Sequence, residues 1–294
     1  MRLITRGDLD GLACAVIITH HEKISEIVLV HPQDITDRKA EVSSDDIIAN
    51  LPYHPNCGLW FDHHLLTSSN RRPEGEFKGS YAQAPSAALL VWEYYGKDPR
   101  FEALVEETNR LDSAQLTEED VLRPQDYILL GYTIDSRTGL GAFEVYFRQC
   151  VEWVKELPIH EVLKQPMVAE RVRRLEEEDR NFRKSLLESS HLDGNVVFTD
   201  FRNEVLLPIG NRFLVYTLFP KANVSVRVHW GPEREFVVVA VAHSIFNRTC
   251  NTAVGELLSQ YGGGGHRGAG SAPIPTAQAD DKLAEIVAAL KAAG

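Results

Sequence analysis

Several features are missing from this 294-residue chain, and each absence closes a class of function. No run approaches the roughly 18 consecutive apolar residues of a membrane span. The opening stretch carries Asp8 and Asp10 where a secretory signal needs an apolar core, so a cytoplasmic location is expected. Cysteine is scarce: Cys14, Cys57, Cys150 and Cys250 are scattered without a CxxC pair, which offers neither a disulfide framework nor a zinc knot. Reduced, mostly buried thiols are the expectation. Positive charge is in deficit, with 31 Lys+Arg against 42 Asp+Glu for a net charge of −11, which argues against a broad basic face for duplex nucleic acid. No internal repeat or low-complexity block occurs.

What remains is the composition of a globular protein, 44% hydrophobic and 25% charged. The charge is uneven. Residues 191–294 hold nine basic and nine acidic residues, so the whole acidic excess lies in residues 1–190, with 22 basic and 33 acidic. Two electrostatic regions suggest two domains. Within residues 202–267, seven basic residues face four acidic ones, so a small, locally positive surface can still receive a phosphate-bearing ligand.

The first region reads as strands alternating with helices. Leu3–Thr5 is a short apolar opening, followed by the charged loop Arg6–Gly11 and an apolar helix over Leu12–Ile18. Ile27–Val30, Asp46–Pro52 and Gly58–Asp62 read as three more strands, each stopped by a polar residue or proline. Such alternation predicts a parallel sheet covered on both faces, with ligands beyond the carboxyl ends of its strands. Helices are expected over Pro85–Tyr95, Phe101–Leu111 and Gly141–Lys155, and a polar, mostly solvated connecting helix over Ile159–Ser190. Beyond His191 the expected strands are Val196–Phe201, Glu204–Leu207, Phe213–Phe219, Val224–Trp230 and Phe236–Ala242. A helix near Thr252–Gln260, a glycine run and a closing helix over Asp280–Ala293 follow. The fold class is therefore α/β, divided into residues 1–155, a helical linker over 156–190, and a smaller α/β domain over 191–294.

Three clusters carry chemistry. Asp8 and Asp10 flank one residue at a strand end, where two carboxylates can converge on a hard divalent cation; an Asp-rich helix cap is the alternative for such a pair in isolation. Asp62-His63-His64 ends another strand of the same sheet and adds a carboxylate and two imidazoles, a ligand set suited to Mn, Zn or Fe. His20-His21 reads instead as an exposed helix end. The third cluster, Gly262–Gly270, contains Gly263, Gly264, Gly265, His266 and Arg267, whose backbone amides and positive charge can approach an anion closely. A flexible linker is the alternative there, although linkers are Gly/Ser-rich and rarely carry a His-Arg pair.

Together the DxDG, DHH and GGGH motifs resemble the DHH phosphoesterase superfamily, in the group with a DHH-associated C-terminal domain. The likeness is to exopolyphosphatase-related proteins, next to oligoribonucleotide and cyclic-dinucleotide phosphodiesterases, and it covers nearly the whole chain in order. It implies a DHH domain over 1–155 and a substrate-binding domain over 191–294. It also implies a metal-dependent hydrolase of phosphoric ester or anhydride bonds, usually with manganese; magnesium or cobalt are options. Asp8, Asp10 and His63 match metal ligands, His64 a histidine that contacts the scissile phosphate, and Asp62 the acid supporting the pair. Asp112, ending Leu104–Asp112, is the choice for the fourth metal motif, with Asp135 competing. Arg248 and His266 would grip the remote part of the substrate with Gly263–Gly265 and Arg267. The resemblance also implies a homodimer, though no patch in the sequence marks an interface.

The chain departs from that pattern at two places. No histidine precedes Asp8, where Thr5 and Arg6 stand, and the third strand ends in Asn50 rather than a carboxylate. Asp34 could compensate for Asn50, or could cap its own loop. One firm ion is therefore expected rather than two, with the Arg6 guanidinium supplying part of the missing positive charge. The expected substrate is short: an oligonucleotide, a dinucleotide or polyphosphate, held in a cleft between two domains. A phosphate-ligand sensor with weakened catalysis is the alternative that Arg6 and Asn50 raise, and a nuclease for longer single strands is a third reading.

Overall fold

The computed structural model describes residues 1–64, 75–134 and 143–294. They divide into two compact units, Met1–Gln115 with Pro124–Arg174, and Leu116–Arg123 with Leu175–Gly294.

The first unit is built on five parallel strands, β1 (Arg2–Thr5), β2 (Glu26–Leu29), β3 (Asp46–Ala49), β4 (Leu59–Asp62) and β5 (Gly79–Tyr81), in the order β2-β1-β3-β4-β5. Side chains alternate between the two faces, as the pleat requires. Leu3, Ile47, Ala49 and Phe61 enter the core shared with α1 (Leu9–His21), while Ile4, Ile48 and Trp60 pack on the other face beside Ile35 of α2 (Pro32–Thr36). α1 is buried from Leu9 to Ile18 because α3 (Ala87–Tyr94), α4 (Glu102–Asp112) and α7 (Phe143–Glu156) all pack against it. That burial explains why its sequence is apolar all round.

The short α5 (Glu118–Leu122) belongs to the second unit, and α6 (Asp126–Thr133) to the first. The chain runs from β2 on one side of β1 to β3 on the other, so the strand order reverses between β1 and β3. In open α/β sheets this reversal opens a crevice beyond the carboxyl ends of the strands.

The second sheet has the order β10-β11-β9-β8-β7-β6, comprising β6 (Ser190–Asp193), β7 (Val196–Asp200), β8 (Val224–Trp230), β9 (Phe236–His243), β10 (Gly264–Gly265) and β11 (Ala269–Pro275). Only β7 and β8 pair in parallel. Val224, Val226, Val228, Val237, Val239 and Val241 alternate onto one face and meet Leu283, Ile286 and Leu290 of α12 (Ala279–Ala292).

The structure corrects several sequence expectations. Phe213–Phe219 is not a strand but α10 (Leu214–Leu218), opened by Asn211, whose Oδ1 accepts from the Phe213 amide. A short apolar run is ambiguous between the two periods. The helix places the Tyr216 hydroxyl on Ser225 Oγ at 2.8 Å, and it donates to the Ala242 carbonyl at 2.9 Å. Glu204–Leu207 forms no strand; Val205 is 94% exposed, so its β-propensity finds no sheet edge. The segment over Ile159–Ser190 is two helices, α8 (Ile159–Val162) and α9 (Pro166–Ser189), and it buries Val162, Val168, Arg171, Phe182 and Leu186. The division between units falls inside α9. β5, β6, β10 and β11 were not expected. Among the described residues, no helix is long and apolar enough to cross a membrane. All four cysteines are free thiols, with Cys57 half-buried and the others buried.

Candidate metal centre

The turn from β1 into α1 is set by local chemistry. Asp8 caps α1, its Oδ1 accepting from the Gly11 amide at 2.9 Å. A side chain at position 11 would bring its Cβ within 1.9 Å of the Arg6 carbonyl oxygen, so only glycine fits this close approach. Asp10 lies in the first turn of α1 and is 1% exposed. Its Oδ1 accepts from the Ala88 amide at 2.7 Å and its Oδ2 from the Ala87 amide at 2.9 Å. These are the first amides of α3, where an anion is favoured by orphan donors and the helix dipole. Ser86 caps the same helix, accepting from the Leu89 amide and donating to Asn109 Oδ1 at 2.6 Å.

β4 delivers the second motif. The buried Asp62 accepts at Oδ1 from the His63 amide at 3.0 Å and from His64 Nδ1 at 2.7 Å. Tyr81, opposite Asp62 on β5, donates its hydroxyl to the His64 carbonyl at 3.0 Å. His63 Nδ1 lies 3.0 Å from the Ala84 carbonyl, which can only accept, so Nδ1 carries the proton and Nε2 presents a lone pair. That Nε2 is buried without a hydrogen-bond partner, 3.5 Å from Asp10 Oδ2 and 3.3 Å from Asp112 Oδ2 at the end of α4.

Three acceptors facing one another repel unless a cation lies among them. Asp10, His63 and Asp112 each offer one ligand atom, all within 4.8 Å of one another. Ions that take nitrogen and oxygen ligands at about 2.0–2.2 Å suit such a group. The residues present therefore fit a divalent ion, held by one imidazole and two carboxylates.

Electrostatics follow from this crowding. Burial pushes the Asp10 carboxyl well above the usual range, with the charges of Asp112 and Asp8 adding to it and the two α3 amides opposing. Burial raises Asp112 as well, opposed by His63, increased by Asp8, and opposed again by His64 and Arg6. For His64, burial favours the neutral ring, but the hydrogen bond and charge of Asp62 outweigh it and the imidazole rises.

Asp8 is placed differently. Its Oδ2 meets Arg6 Nε at 3.0 Å and its Oδ1 accepts from Asn50 Nδ2 at 3.0 Å, and it is not one of the three converging ligands. Asn50 follows β3 with a left-handed φ of 57°, and its Oδ1 is buried without a hydrogen-bond partner. Asp34 lies in α2 and is outside the converging group. Asp135 falls outside the described residues. The Ala84 carbonyl and the Ala87 and Ala88 amides could not be found from side-chain motifs. Ser86 could have been, as a capping residue ahead of an apolar run.

In the second unit, Gly264 and Gly265 pair with Ser271 and Gly270 as β10, so the run is sheet rather than linker. The amide of Gly263 is engaged by the Leu258 carbonyl, and that of His266 by the Ala269 carbonyl. The first amides of α11 (Val254–Ser259), those of Val254 and Gly255, donate to the carbonyls of Arg267 and His266. The Gly263 amide and the terminal donors of α11 are thus engaged within the unit. The side chains of His266, Arg267 and Arg248 are exposed, with Arg248 Nε donating to the Ile245 carbonyl at 2.9 Å.

No family model matches the chain. No curated protein matches it either. Among solved structures, it is similar to the pGpG-specific phosphodiesterase PggH from Vibrio cholerae, with 35% identity, a TM-score of 0.86, and coverage of 100% of this chain and 99% of that one. An exopolyphosphatase-related protein from Bacteroides fragilis shares the fold at 12% identity and a TM-score of 0.58, covering 99% of this chain and 92% of that one. RecJ from Thermus thermophilus, solved with manganese, does so at 12% identity and a TM-score of 0.55, covering 98% of this chain and 52% of that one.

Proposed function

The chain belongs to the DHH superfamily of phosphoesterases, hydrolases of phosphate ester bonds, and we propose that its substrate is a short linear dinucleotide of the pGpG kind, with manganese as the ion. The observation that carries the reading is the orphaned His63 Nε2 facing Asp10 and Asp112, a ligand triad beside the Asp62–His64 pair. Full-length identity of 35% to a pGpG-specific enzyme supports the substrate class.

In this reading Asp10, His63 and Asp112 hold one divalent ion, and that ion supplies Lewis acidity toward a phosphoryl oxygen and toward water. Asp62 fixes the proton of His64 on Nδ1 and so directs Nε2 to the scissile phosphate. Arg248, His266 and Arg267, exposed on the second unit, offer charge-assisted hydrogen bonds to a phosphate.

The test is a hydrolysis screen of pGpG, longer oligonucleotides, cyclic dinucleotides and polyphosphate with Mn2+, Mg2+ and Co2+. Conversion of pGpG to mononucleotides, abolished in His63→Ala, is the expected result. Hydrolysis of polyphosphate alone would overturn the substrate class. Tight nucleotide binding without turnover under every ion would replace the enzyme by a sensor.

A further inference from the structure

We infer that Asp8 is a clamp for Arg6 rather than an ion ligand, and that the clamped guanidinium receives a phosphate oxygen of the substrate beside a single-ion site. The inference rests on the phosphoesterase reading. Its starting point is a contrast between two aspartates only two positions apart. Asp10, though its oxygens accept from the Ala87 and Ala88 amides, still faces His63 Nε2 at 3.5 Å through Oδ2 and belongs to the converging group. Asp8 lies outside that group: its Oδ1 accepts from the Gly11 amide and Asn50 Nδ2, and its Oδ2 is ion-paired with Arg6 Nε at 3.0 Å.

Asn50 decides this arrangement. It is buried at the end of β3, its amide donates to the Phe61 carbonyl, and its φ of 57° is one that asparagine tolerates better than most residues. A carboxylate in its place would set a second anion against Asp8. The carboxamide instead donates to Asp8, so the single negative charge of Asp8 is balanced by the single positive charge of Arg6. Asp10 and Asp112 are left, with His63, to face one divalent ion.

Arg6 is suited to the task. Among the described residues it is held through Nε alone, its side chain is 46% exposed, and its charge acts on both His64 and Asp112. A guanidinium held by a carboxylate on one edge presents its other donors as a planar fork, a geometry matched to phosphate. Asp8 and Asn50 are then positioning residues, and Arg6 is a catalytic residue.

Manganese counting and calorimetric titration of the full chain test the inference. Asp8→Asn is chosen because asparagine also caps helices, and Arg6→Gln because it removes charge at similar length; thermal unfolding checks that both fold. The wild type is expected to bind one Mn2+ per chain. Asp8→Asn and Arg6→Gln should keep that ion within about threefold in affinity, while Asp10→Asn loses about 100-fold or more. Arg6→Gln should also raise KM for pGpG by about tenfold or more, and Arg6→Lys should not restore it, since an ammonium lacks the fork. Two ions in the wild type, or an Asp8→Asn loss equal to that of Asp10→Asn, would overturn the clamp. One ion with Asp8→Asn behaving as expected, but no hydrolysis of any phosphate compound, would support the clamp against an ion role for Asp8 and overturn the phosphoesterase reading instead.

Discussion

His63 Nδ1 lies 3.0 Å from the carbonyl oxygen of Ala84, and this contact decides which imidazole nitrogen faces Asp10 and Asp112. With the ligand lone pair already oriented, ion binding should stabilise the fold by mass action. At an Mn2+ concentration 100 times its Kd, the gain is about 2.7 kcal/mol, read as a rise in the unfolding midpoint that a chelator reverses. His63→Ala should abolish the rise. An equal rise in that variant would mean the ion binds elsewhere.

Ser86 should matter beyond its own helix. It caps α3 and donates to Asn109, so it fixes the helix whose first amides hold Asp10. Ser86→Ala is expected to cost about 1 kcal/mol of stability through the lost cap. It should also weaken Mn2+ binding by about tenfold, the lower end of the effect of removing a group that orients a ligand. Stability loss with unchanged ion affinity would show that Asp10 is held without it.

Gly11→Ala should be severe. The added Cβ would lie 1.9 Å from the Arg6 carbonyl oxygen, a backbone atom that cannot turn aside. The β1–α1 turn must then open, with a loss of about 3 kcal/mol, at the upper end of overpacking, and displacement of both Asp8 and Asp10. Urea unfolding of the variant measures the first effect and Mn2+ titration the second. A variant with wild-type stability would contradict the described turn.

The strand-end placement of Asp8, Asp10 and Asp62–His64 was legible because short apolar runs of β-branched and aromatic residues stop at them, and a parallel sheet gathers its carboxyl ends on one edge. Asp112 was the choice over Asp135 because it directly ends the expected helix Phe101–Leu111. Among the described residues Asp112 lies 3.3 Å from His63, and Asp135 lies outside them. Phe213–Phe219 misled because seven mostly apolar residues satisfy either period, and only the contacts of Tyr216 with β8 and β9 favour the helix. β5 was missed because Gly79-Ser80-Tyr81 has little strand propensity; pairing with Trp60–Asp62 forms it, with Gly79 at a φ of 118° against the Trp60 carbonyl. The Ala84, Ala87 and Ala88 contacts use backbone groups, which every residue carries, so no residue pattern announces them.

Away from the site, the pairing of β1 with β3 is secured at its amino end by Arg2 and Asp46, which are in register. Arg2 donates from Nε to Asp46 Oδ1 at 2.9 Å and from Nη2 to Oδ2 at 2.6 Å, and the Ser43 amide adds a third bond at 2.7 Å. The Arg2 hydrogen bond holds the Asp46 carboxyl below its usual range, against the opposing effect of burial. A carboxyl lowered on folding stabilises the native state at every pH above its unfolded value, and that contribution is lost as pH falls through the lowered folded value. Asp46→Asn keeps the shape but not the charge. At pH 7 it should lower the thermal midpoint by about 2–4 °C. As the solution is acidified the gap to the wild type should narrow, because a protonated Asp46 resembles the asparagine. Paired thermal scans from neutral to strongly acidic pH measure this, and a gap that stayed constant would show that the Asp46 charge is not what holds the two strands together.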